Sequence, residues 1–211
     1  ISFCSMRRSL VILLFLPMIG FGQIMLHQWD DVLYDKYDYL KFQDLEIVHQ
    51  KIDPHNIDYS LLKAAIFYCT NLQRHKYKMI PLKHSPALER AAQKHSMNMV
   101  KKNFYSHRNR SRVNKTVKDR LESEGIKGGF IGENICMDFE KDPSYWSFAL
   151  LVVKGWMASP GHKRNILDKD FKYLGCGSYY YKDPEWVDLF NAKSTQNFSS
   201  NDTPNKIISY K

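Results

Sequence analysis

Histidine, glutamate, serine and cysteine supply the reactive side chains here, and their positions sort them. His107 and His162 fall just beyond the ends of predicted helices, where a side chain projects into a cleft. A neutral imidazole offers a lone pair to a metal, and its ionisation near neutral pH also suits it to proton transfer. His95 differs, because it shares a helical face with Leu88, Ala92 and Met99, as a core histidine does when the protein satisfies its hydrogen bonds. His27, His49, His55, His75 and His84 show no spacing that suggests a site. Glu133, within Gly132-Glu133-Asn134, has two readings: metal ligation, or acceptance of backbone N–H bonds that fix the loop entering a strand. Ser106 and Ser159 adjoin the two histidines but lack the context of a nucleophilic triad.

The elements that must position these residues are legible as caps and periodicities. Asp58 predicts the start of a helix whose face is Leu61, Leu62, Ala65, Ile66, Cys69 and Leu72. Ser85-Pro86 opens a second helix, which ends near Asn103. A shorter helix runs from Thr116 to Glu124, and a strand follows over 130–137. Ser144 caps a helix carrying Phe148, Leu151, Val152 and Trp156, which Pro160-Gly161 terminates; the Ser159-Pro160-Gly161 turn then aims His162. Two strands close the domain, Tyr173 to Tyr181 and Trp186 to Ala192. Helices interleaved with few strands point to an α+β sandwich.

The ends read differently. Met6-Arg7-Arg8, the apolar run from Leu10 to Leu16 and the small residues to Gly22 predict a signal peptide over residues 1–22, with residues 1–5 upstream of the start and no membrane span in the mature chain. Export to an extracytoplasmic or extracellular site follows. Residues 23–57 read as an extension that packs on the domain or serves as a linker, 58–193 as the domain, and 194–211, rich in Ser, Thr and Asn, as a loose tail. Cys69, Cys136 and Cys176 read as small buried hydrophobes, with a Cys136–Cys176 bridge as the alternative. The chain's formal charge is +9, and loss of residues 1–22 removes two arginines and no acid, leaving +7. Such a balance suits an anionic partner, but without a basic run of five or a nucleic-acid motif no nucleic acid is expected.

Five blocks in order resemble bacterial members of the CAP (SCP-like) superfamily: Ala91 to Met99, Asn103-Phe104-Tyr105-Ser106-His107, Asp119-Arg120-Leu121, Gly132-Glu133-Asn134-Ile135 and Gly155 to Leu167 with its Ser-Pro-Gly-His core. The resemblance covers about residues 58 to 193. It implies a three-layer α-β-α sandwich with an open cleft holding His107, Glu133 and His162. Many animal and plant members add a second glutamate, whereas Trp156-Met157-Ala158-Ser159 here contains no acid.

Two imidazoles and a carboxylate suit zinc or another divalent metal. The resemblance implies a binding module for a lipid, a sterol or a cell-envelope polymer. Two alternatives stand beside it. One is a metal-dependent hydrolase, a protease or nuclease, with Glu133 and His162 as its base and acid. The other is a structural interaction protein with a vestigial cleft.

Overall fold

A computed structural model describes residues 29–202, so the signal-peptide reading and residues 203–211 lie outside the described part. The N-terminal segment forms a 3-10 turn over Asp31–Asp35, the single-turn helix α1 (Tyr39–Phe42) and a second 3-10 turn over Glu46–His49. Its Trp29, Phe42, Val48 and Ile52 are buried, and they join the principal hydrophobic core. Of the two sequence readings for this stretch, packing on the domain is the one observed for residues 29 onward.

Four helices begin where their caps place them. Asp58 accepts from the Leu61 N–H at 2.9 Å to start α2 (Tyr59–Lys76), and Ser85 with Pro86 starts α3 (Pro86–Lys101). Thr116 and Asp119 form a reciprocal capping box at α4 (Val117–Ser123), as Ser144 and Ser147 do at α5 (Tyr145–Ala158). Each cap contributes about 1 kcal/mol by pairing N–H groups that lack helical partners.

The sheet contains β1 (Lys83–His84), β2 (Ile131–Glu140), β3 (Tyr173–Tyr181) and β4 (Phe190–Ser199), in the order β1-β3-β4-β2. The β1–β3 pair is parallel and the others antiparallel. One face packs on α2 and α5, the other on α3 and α4, which gives an α+β three-layer sandwich. On the α3 side the approach is close: a Cβ on Gly175 would lie 2.0 Å from the Glu89 nitrogen, and one on Gly177 would lie 2.3 Å from the Gln93 nitrogen. Only glycine lets helix backbone and strand backbone meet at that distance.

Three expectations need correction. The last strand is Phe190–Ser199, not Trp186–Ala192, so residues 194–199 belong to a strand buried along its whole length rather than to a loose tail. Its polar side chains are satisfied inside: Gln196 Nε2 donates to Thr70 Oγ1 at 2.6 Å, Ser194 pairs with Ser178 at 2.9 Å, and Lys193 Nζ donates to the carbonyls of Met99 and Phe104. Second, α5 ends at Ala158, just before Pro160-Gly161 as expected, but the same Pro-Gly pair also opens a helix that was not expected, α6 (Pro160–Leu167). Third, the alternative reading of a Cys136–Cys176 bridge falls: both are unbridged, as is Cys69, and the first reading, small buried hydrophobes, holds for Cys69 and Cys176. Cys136 and Cys176 lie on β2 and β3 with β4 between, and two strand spacings of roughly 4.8 Å each exceed the reach of a disulfide.

Candidate functional site

β2 is an edge strand, and side chains from three directions converge on its first half. The loop after α3 brings His107, α4 brings Arg120, and α6 brings His162.

The loop is fixed before His107 is reached. Phe104 is buried against Met99 and Ile135, and the Tyr105 hydroxyl donates to the Ile135 carbonyl at 3.1 Å. His95 Nε2 donates to the Ser106 carbonyl at 3.0 Å, and Arg120 Nη1 to the His107 carbonyl at 3.0 Å. Helices α3 and α4 therefore clamp the backbone on both sides of His107. Its side chain, half exposed, places Nδ1 2.8 Å from Glu133 Oε1. A carboxylate accepts only from an N–H, so the Nδ1 proton is fixed there and the Nε2 lone pair is left on the other edge of the ring.

Glu133 is enclosed, its side chain 1% exposed. The Arg120 guanidinium, itself buried, donates to Oε2. Asn197 of β4 adds a second donor to Oε2 at 3.1 Å when its amide is oriented to satisfy both ends, with Oδ1 accepting from the Ala92 N–H. Fully buried His95 stands 3.9 Å from Oε1, with its Nδ1 unpartnered. Burial pushes the His95 imidazole down to about 4, outweighing the attraction of Glu133.

His162 lies just past the end of α5, as expected, and also within the first turn of α6. Two asparagines latch that helix to β2. Asn134 Nδ2 donates to the His162 carbonyl at 3.1 Å, and Asn165 Nδ2 donates to Asn134 Oδ1 at 2.8 Å and to the Glu133 carbonyl at 3.3 Å. Burial lowers the His162 pKa, and a charge on His107 acts in the same direction, so the two rings sense each other. A lowered pKa keeps His162 neutral, with a lone pair to offer, at neutral pH.

The structure thus brings His107 against Glu133 and puts His162 within electrostatic reach of His107. As a direct third metal ligand Glu133 does not fit: both its oxygens are engaged by protein donors, and among the described residues no group of three or more His, Cys, Asp or Glu could hold a metal ion. His107 and His162 remain as candidate donors, with Glu133 behind one of them. A carboxylate that holds the far nitrogen of a ligating histidine fixes its tautomer and raises its basicity. Arg120 and His95 are the site residues that sequence reasoning missed. Arg120 carried a signal, since it lies three residues after Val117 and beside Leu121 on the inward side of its helix, an uncommon place for an unpaired arginine. Trp156, 1% exposed, is core as expected.

A model of the cysteine-rich secretory protein (CAP) family matches residues 67–188. The chain is 34% identical over 134 residues to the YkwD protein of Bacillus subtilis (strain 168), covering 64% of this chain and 48% of that one. It is 32% identical over 108 residues to the membrane protein YlbC of the same organism, covering 51% and 29%. Among solved structures it is similar to an extracellular protein containing an SCP domain from Bacillus anthracis (TM-score 0.55, 27% identity, 70% of this chain and 44% of that one). An outer surface protein from Borrelia burgdorferi, at TM-score 0.52 and 17% identity over 72% of this chain and 97% of that one, shares the fold. The chain spans about half or less of the length of the curated relatives it matches.

Proposed function

The chain belongs to the CAP family, and on that footing we propose that it is an exported binding module. It holds a component of the cell envelope, a lipid, a sterol or a polymer, against the cleft between His107 and His162. The two imidazoles take a divalent metal, with zinc first in suitability, and leave its other positions to water or ligand. Export is supported by the basic and apolar character of residues 6–22 and by the extracellular Bacillus anthracis relative. Among the described residues no helix is long and apolar enough to cross a membrane.

One observation carries the choice of binding over hydrolysis. A general base must be free to reach a proton, yet both oxygens of Glu133 are taken by Arg120 and His107. The neighbouring serine is no better placed as a nucleophile, because Ser106 Oγ accepts from the Arg108 N–H. Glu133 instead orients His107.

The test is capture of envelope components by the purified protein, read by mass spectrometry beside the His107→Ala/His162→Ala variant. Retention by the wild type that the double variant loses is expected. Equal retention by both contradicts a role for the two histidines.

A further inference from the structure

The positive charge of the chain is concentrated around His107. Between Lys101 and Lys118 there are seven Lys or Arg and no Asp or Glu, whereas the rest of the chain sets 24 basic residues against 22 acidic ones. That short segment therefore holds seven of the nine excess charges, and it flanks His107. All seven side chains are exposed. Among the described residues six of them form no ion pair, and Lys118 meets Glu122 at 3.7 Å.

The strip is held in shape from below. Asn109 is buried, its N–H donates to the Lys115 carbonyl at 2.8 Å, and its Oδ1 accepts from the Ser111 N–H at 3.2 Å. Arg110 lies over the Phe104 ring, with Nη1 donating to the Lys102 carbonyl at 3.3 Å. On α6, Lys163 and Arg164 adjoin His162, with Lys163 Nζ 4.8 Å from the centre of the Tyr77 ring. The carboxylate closest to the strip's histidine, Glu133, is buried and matched by Arg120, so it does not repel an anion at the surface.

We infer that this strip binds a linear polyanion with phosphate or carboxylate groups at short intervals, a ligand class that rests on the cleft reading above for its place. An exposed charge contributes little alone, so a single small anion is a poor match for so many spread charges. A polymer engages them together. Arg108 and Arg112 present planar forks that fit either oxyanion. Nucleic acid is the weaker match, because single strands are held largely by stacking on successive aromatic faces; within the strip Phe104 is buried, which leaves the half-exposed Tyr105 ring as a single platform.

The experiment is calorimetric titration of the full chain with linear inorganic polyphosphate and with polyglutamate at several salt concentrations. The strip variant is Arg108→Ser/Arg112→Ser/Lys115→Ser, and the charge-matched control is Lys36→Ser/Lys141→Ser/Lys182→Ser, all at exposed positions. The strip variant is expected to bind at least about tenfold more weakly, with a salt slope shallower by about 2, and the control to stay within about twofold. Tighter binding of polyphosphate assigns the phosphate source, and tighter binding of polyglutamate the carboxylate one. Equal losses in both variants, no binding by the folded wild type, or tighter binding of duplex DNA or of phosphatidylglycerol vesicles overturns the inference. If the polymers fail while zinc still binds through His107 and His162, the strip inference falls and the cleft reading stands.

Discussion

Arg120 decides what Glu133 can do. A buried carboxylate without a partner is costly, and this one gains a guanidinium, an imidazole N–H and an amide at once. Arg120→Leu leaves that carboxylate buried and uncompensated, and is expected to destabilise the fold by roughly 3–5 kcal/mol in urea unfolding. Adding Glu133→Gln to it should cost less than the sum of the two single changes, and strict additivity contradicts the pairing. His95 sets the acid limit. It titrates near 6.5 when unfolded but near 4 in the fold. Between those values the unfolded chain holds more protons, so stability rises with pH, and it is lost as pH falls from about 6.5 to about 4, by roughly 3 kcal/mol in all. Urea midpoints across that window measure the slope. His95→Gln should flatten it, and an equal slope in wild type and variant contradicts the assignment to His95.

At the scale of elements, the contact of α3 with β3 leaves no room for a side chain. Gly175→Ala pushes a methyl into the backbone of Leu88 and Glu89, and a loss of at least about 1–3 kcal/mol is expected in thermal unfolding. An unchanged melting temperature contradicts so close an approach. Elements whose signals are local were legible in the sequence: Asp58, Ser85, Thr116 and Ser144 each cap through a bond to a residue within three positions. β4 was not. Its Lys193, Ser194, Thr195, Gln196 and Asn197 have the composition of a solvated tail, and they become core only because Met99, Ser178, Ser96, Thr70 and Glu133, far away in sequence, supply partners. Pro160-Gly161 misled for a different reason. Proline both follows helices and opens them, and here the two events share Ser159 as cap.

For the whole molecule, the order of the motif blocks was enough to anticipate the three-layer sandwich, and the family match bears that out. The site was legible as residue types but not as connections. His107 and His162 could be singled out from their places near helix ends, whereas the bond from α4 to β2 that occupies Glu133 is a tertiary contact no local pattern announces. That bond turns a three-ligand metal reading into two imidazoles with a carboxylate behind one of them. Zinc titration of the full chain by calorimetry, beside His162→Ala and Glu133→Gln, tests this most directly. The expected result is saturable binding by the wild type, at least about tenfold weaker in His162→Ala and roughly 10–100-fold weaker in Glu133→Gln, where the orienting carboxylate is lost. No zinc binding by the wild type, or the same affinity in His162→Ala, contradicts it.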